Sequence, residues 1–124
     1  MPLPIYIRER YHQSRKRQNP ENHLVLQIIH YLRACGLVCG KIKTQGSPKV
    51  GGGFLFDPYR ITGLPDILAS DRRKGNNILY AIECKAGKNK QSPNQVAFQE
   101  IFHYPPSRQY LVIYSLEEIQ KIVS

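Results

Sequence analysis

Glu83 and Lys85 stand one residue apart at the end of an otherwise apolar run, Ile78 to Lys85. Read as a strand with period two, the run places Ile78, Tyr80, Ile82 and Cys84 on one face. Leu79, Ala81, Glu83 and Lys85 take the other. If a helix covers that second face, the acid and the amine must compensate each other or bind something. Asp66 lies 17 residues before Glu83, at the start of a second apolar run. A hairpin of that length brings Asp66 beside Glu83. Two carboxylates converging with a lysine make a hard-oxygen site suited to Mg²⁺ or Mn²⁺. Such an ion activates water and offsets charge on a phosphodiester during hydrolysis. A lysine there can orient or deprotonate the water and offset transition-state charge. Glu21, near the start of a first helix, is placed to complete the acidic cluster.

Each of these residues also has a plainer reading. Glu83 and Lys85 would make a simple charge pair on a solvent-facing sheet, and Asp66 alone would cap a turn after Pro65. Cys35 and Cys39 straddle a helix end without metal-ligand company and read as core or surface filler. Cys84 faces away from Glu83, toward the core. His12, His23, His30 and His103 show no paired spacing, so a His/Cys nucleophile has no support. The eight tyrosines could stack on bases, but read mainly as core edge or interface.

The elements that must position these groups follow from pattern. Asn19-Pro20-Glu21 opens a helix: Asn caps, Pro suits the first helical position, and Glu complements the positive end. Leu24, Val25, Ile28, Ile29 and Leu32 recur at helical spacing and Gly36 stops the helix, giving about 20–34. Leu37–Thr44 reads as a strand, followed by a glycine-rich loop, Gly46 to Gly53, and an extended segment, Phe54 to Thr62. Pro65 makes the next strand start at or after Asp66. Asp71 to Asn77 is polar and turn-like, and Ile78–Lys85 returns as the second strand of the hairpin. Ser92-Pro93-Asn94-Gln95 is a capping box opening a second helix over 93–103, with Val96, Ala97, Ile101 and Phe102 expected inward. Pro105-Pro106 ends it. Gln109–Ser115 is a further strand, and a second capping box, Ser115 to Glu118, opens a short last helix.

The chain has 124 residues and a net charge of +9, from 18 Lys+Arg against 9 Asp+Glu. One domain fits that length. A basic arm over residues 1–18 is expected to precede one domain over 19–124. The excess charge lies mostly before residue 50, with Arg8, Arg10, Arg15, Lys16 and Arg17 in one short stretch. That stretch reads as a phosphate-tracking arm or as a solvated tail. Lys41, Lys43, Lys88 and Lys90 are further candidates for nucleic-acid contact. No apolar run nears the roughly 18 residues of a bilayer span, and no secretory signal is visible. The odd cysteine count, three, fits a reducing, intracellular compartment. The charge points to a polyanionic partner, most simply nucleic acid.

The string Gly63-x-Pro65-Asp66, Glu83-x-Lys85 and Ser92-Pro93-x-Gln95, with Glu21 upstream, resembles the VRR-NUC branch of the PD-(D/E)XK nuclease superfamily. The resemblance covers about residues 20–120. It implies an α/β fold, a restriction-endonuclease-like mixed β-sheet flanked by helices with an αβββαβ core. It also implies Asp66, Glu83 and the main-chain carbonyl of Cys84 as ligands of Mg²⁺ or Mn²⁺. Lys85 would be the catalytic lysine, Gln95 would support the site, and Glu21 would bind metal directly or through water. Asp57 competes with Glu21 for the third acid position, because Gly46 to Arg60 matches no part of the pattern. The implied activity is endonucleolytic cleavage of DNA, often branched or flapped, as in DNA repair and Holliday-junction resolution. A homodimer and an intracellular setting, virus- or phage-encoded proteins included, go with it. The competing class is a non-catalytic nucleic-acid-binding module on the same fold.

Overall fold

The structure, a computed structural model, describes residues 20–42 and 61–124. The expectations for Arg8, Arg10, Arg15, Lys16, Arg17, Lys43 and Asp57, for the Gly46–Gly53 loop and for the segment from Phe54 to Arg60 fall outside these residues. Among the described residues there are three α-helices and four strands: α1 (Pro20–Ala34), β1 (Val38–Lys41), β2 (Ile67–Asp71), β3 (Ile78–Cys84), α2 (Pro93–Phe102), β4 (Arg108–Ile113) and α3 (Leu116–Ile122). The expected order αβββαβα is therefore observed, as a mixed α/β arrangement. Among the described residues no helix is long and apolar enough to cross a membrane.

The strands form one sheet in the order β1-β2-β3-β4. The first two neighbouring pairs are antiparallel and the last is parallel. The parallel step follows from its connection, since α2 carries the chain back between β3 and β4. Alternation divides the sheet into two unlike faces. On one, Ile67, Ala69, Tyr80, Ile82, Cys84 and Ile113 form a single core with Leu24, Val25, Ile28, Ile29 and Leu32 of α1 and Ile119 of α3. This is the stripe the helical spacing of α1 predicts. Gly36 ends α1 with φ 98°, a left-handed conformation that glycine tolerates, and the Leu37 N–H bonds back to the Leu32 carbonyl at 3.0 Å.

The other face carries Ala81, Glu83 and, from β4, Tyr110, whose register partner is Ala81. Helix α2 lies here, with Phe98 stacked on Phe102 (5.6 Å between centroids) and tilted against Tyr110 (6.1 Å). The inward set expected for this helix is corrected. Ile101 is 81% exposed and Val96 40%, and Ala97 is exposed too, while only Phe102 of the four is partly covered. The covered stripe is Gln95, Phe98, Gln99 and Phe102, spaced i, i+3, i+4, i+7. Two of its four positions are glutamine, so an apolar pattern could not mark it. The large aromatic pair sets the orientation instead.

The turn between β2 and β3 is less polar in its environment than its composition suggests. Asp71 is buried, and it accepts hydrogen bonds from Arg73 N (3.0 Å), Nε (2.9 Å) and Nη2 (2.9 Å). Arg73 also reaches the Cys35 carbonyl at the end of α1 (3.4 Å). The bonds from Arg73 hold the Asp71 carboxyl below the usual carboxylate range, against burial, which acts the other way. A carboxyl depressed on folding stabilises fully above its unfolded pKa, and loses that contribution as pH falls through its folded value. Asp71→Asn is therefore expected to melt at lower temperature than the parent above about pH 4. The gap should close as the pH is lowered further, measured by thermal melts across pH 2–7.

Candidate metal centre

The pairing of Ile67 with Ile82 ends the β2–β3 ladder, and Asp66 and Glu83 flank that pair. Main-chain bonds fix the corner: Asp66 N–H to the Ile82 carbonyl (3.0 Å) and Ile42 N–H to the Asp66 carbonyl (2.9 Å). The Asp66 side chain turns back on the neighbouring strand, where its Oδ2 accepts from Cys84 N–H at 2.8 Å. The hairpin thus brings together the two acids that the sequence separates by 17 residues. Cys84 contributes its amide to Asp66 and its side chain to the core.

Glu83 is 3% exposed. Its Oε1 lies 3.6 Å from Lys85 Nζ, and its Oε2 accepts from the Tyr110 hydroxyl at 3.4 Å. Burial pushes the Glu83 carboxyl up to about 7, and the Asp66 carboxylate adds to the shift, while Lys85 opposes it. A buried acid facing a second acid is costly in the charged form, and a cation between them removes that cost. Magnesium in proteins is commonly held by one or two carboxylates plus water and substrate oxygens. The Asp66–Glu83 pair fits that donor set. Tyr110 is a member of this cluster that sequence reasoning missed. Burial and Glu83 push its hydroxyl up to about 12. Its alternation in Gln109–Ser115, in phase with the Glu83 face, was the available signal.

Glu21 goes elsewhere. Its Oε1 accepts from Asn89 Nδ2 (2.7 Å) and from Ala86 N–H (3.3 Å), in the loop that follows β3. Among the described residues no group of three or more His, Cys, Asp or Glu side chains that could hold an ion is found, and the hydrogen bonds of Glu21 run to this loop rather than to Asp66 or Glu83. Gln95 is engaged at the start of α2. Its Oε1 accepts from Ser92 N–H (2.8 Å) and its N–H donates to Ser92 Oγ (3.2 Å), the capping box that the sequence predicts. Of the expected cations, Lys41 is exposed at the end of β1, one residue before the Ile42–Asp66 bond, and Lys88 and Lys90 are exposed after β3.

Gly63 explains how the Asp66 loop meets α2. Its φ is 75°, and a Cβ there would overlap the main chain of Asn94 and lie 2.8 Å from Gln95 N. The loop carrying Asp66 thus rests directly on the first turn of α2, and only glycine permits the approach. Gly63 and Ser92-Pro93-x-Gln95, distant in the string, are two sides of one contact.

No protein-family model, curated protein or solved structure matches the chain.

Two outcomes are expected. Gly63→Ala should displace the Asp66 loop and cost about 1–3 kcal/mol, read by denaturant unfolding. The second concerns pH. Glu83 titrates near 7 in the folded protein against an ordinary 4.5, so between those values the folded state holds a proton that the unfolded state has lost. Metal-free protein should therefore lose stability as pH rises from about 4.5 to about 7. Glu83→Gln should flatten that slope in thermal melts made with chelator present.

Proposed function

We propose that this protein is a metal-dependent DNA endonuclease of the PD-(D/E)XK class, VRR-NUC type, on a restriction-endonuclease-like fold. The observation that carries the reading is the junction of Asp66, Glu83 and Lys85 at one corner of the sheet of a basic chain. Asp66 and Glu83 would hold Mg²⁺ or Mn²⁺, with the Cys84 carbonyl as a further ligand. When bound, the ion would lower the pKa of water and offset charge on the phosphodiester.

The chain's own residues supply the rest. The Cys84 amide holds Asp66 in one orientation. Tyr110 and Lys85 hold the two oxygens of Glu83. Lys85 Nζ, 11% exposed in its side chain, is placed to orient the attacking water and to stabilise negative charge on the phosphate as it develops. Gln95 supports the site through the first turn of α2, on which the Asp66 loop rests. Lys41, Lys88 and Lys90 would contact the backbone of the DNA, together with the cations before residue 20.

Branched DNA is the proposed substrate and a homodimer the proposed active form. A four-way junction has a two-fold axis that such a dimer matches. Helix α2 offers exposed Val96 and Ile101, with exposed Tyr104 just beyond it. All three cysteines are free thiols, in keeping with an intracellular, reducing setting. The rival reading, a binding module without catalysis, leaves the buried acid pair without a purpose.

Linear, flap and four-way-junction DNAs incubated with Mg²⁺ or Mn²⁺ test the proposal. Cleavage of at least one branched substrate is expected. Glu83→Ala and Lys85→Ala should each lower its rate by about a hundredfold or more with DNA binding retained. Cleavage that persists in chelator, or survives both substitutions, would contradict the reading. Binding without any cleavage would favour the non-catalytic module.

A further inference from the structure

Glu21 is a partly buried acid whose side-chain hydrogen bonds, among the described residues, lead to one basic loop. The loop follows β3 directly and reads Lys85-Ala86-Gly87-Lys88-Asn89-Lys90. Two separate parts of the fold hold it, α1 and the end of β4. At its base, Lys85 N–H bonds to the Ile113 carbonyl of β4 at 3.0 Å. From α1, a single oxygen of Glu21 accepts from Ala86 N–H (3.3 Å) and Asn89 Nδ2 (2.7 Å), so it ties both ends of the turn. Beyond β4, the Tyr114 hydroxyl donates to the Asn89 carbonyl at 2.8 Å. Inside the loop, Asn89 N–H closes on the Ala86 carbonyl (3.1 Å), and Gly87 lies at a φ of 57°, a left-handed conformation that glycine tolerates. Lys88 and Lys90, on either side of the anchored Asn89, are exposed.

A surface turn of six residues has little apolar area to fix it, so these bonds give it one shape. A fixed turn carries its lysines to an anion without the ordering cost that a free loop would incur. The loop also starts at Lys85, whose Nζ lies 3.6 Å from Glu83 of the carboxylate pair. We propose that this loop is a phosphate-binding strap for the nucleic-acid backbone, with Lys88 and Lys90 as its contacts and Glu21 as its positioning residue. The inference rests on the nuclease reading only for the identity of the anion. It assigns Glu21 to the loop through a hydrogen-bond acceptor, a task that glutamine can perform and alanine cannot.

The test uses the full chain in chelator, where binding is measured apart from cleavage. A fluorescent 20-base-pair duplex is titrated across a salt series, and exchange of the Ala86 amide is followed by NMR. Lys88→Gln/Lys90→Gln should lower the log–log salt slope by about 1.8 and leave Ala86 protected. Glu21→Ala should speed Ala86 exchange by about tenfold or more and weaken duplex binding. Glu21→Gln should keep both the parental protection and the parental slope. An unchanged slope in the double lysine variant would overturn the strap. Parental Ala86 exchange in Glu21→Ala, or loss of protection in Glu21→Gln equal to that in Glu21→Ala, would overturn the role of Glu21. Failure of the nuclease reading shows separately, as duplex binding that the lysines govern with no cleavage when Mg²⁺ or Mn²⁺ is restored.

Discussion

Two carboxyl groups side by side in a largely buried corner are the constraint around which this fold is arranged. Like charges facing each other across neighbouring strands are unfavourable, and burial multiplies the cost. The chain meets that cost locally with a backbone N–H on Asp66, a tyrosine hydroxyl and a lysine on Glu83, and a proton on Glu83 that the protein retains to near neutral pH. The proton relieves the repulsion only below about pH 7, whereas a divalent cation would relieve it with both groups ionised. A sheet selected only for stability would hold apolar residues at both positions, as it does at Ile67 and Ile82 next to them.

The two faces of the sheet divide the work. One is sealed by α1 and α3 into a continuous apolar core, which supplies most of the driving force for folding. That leaves the other free to carry polar groups. There α2 covers the β4 side with Phe98 and Phe102, and rests its first turn on the Gly63 loop. Asp66 and Lys85 remain partly exposed beside buried Glu83, which would give the proposed ion its way to the pair. Glu21 and Tyr114 then secure the basic loop at the same end of β3. Rigid strands place the acids, and a clamped turn places the cations.

Much of this was legible in the sequence because it depends on local rules. The α1 stripe, the Gly36 stop, the alternation in β3 and the Ser92 capping box are each written in a few adjacent residues. The meeting of Asp66 with Glu83 was legible too, since a hairpin fixes which residues become neighbours. The misses depend on tertiary context. The orientation of α2 turned on one aromatic pair against Tyr110, while the exposed Val96 and Ile101 mimicked a core stripe. Asp71 read as part of a polar turn, because nothing in DRRKGNN shows that Arg73 folds back to bury it. Glu21 was readable as an acid near the site, but its partners, Ala86 and Asn89, lie more than 60 residues away in the chain. No spacing rule connects them.

Isothermal titration with Mn²⁺ at pH 8 tests the central claim most directly, because it asks about the cation without assuming a substrate. Binding is expected in the parent protein, and it should fall by about tenfold or more in Asp66→Asn and in Glu83→Gln. Absence of binding in the parent, or equal isotherms in all three proteins, would contradict the account.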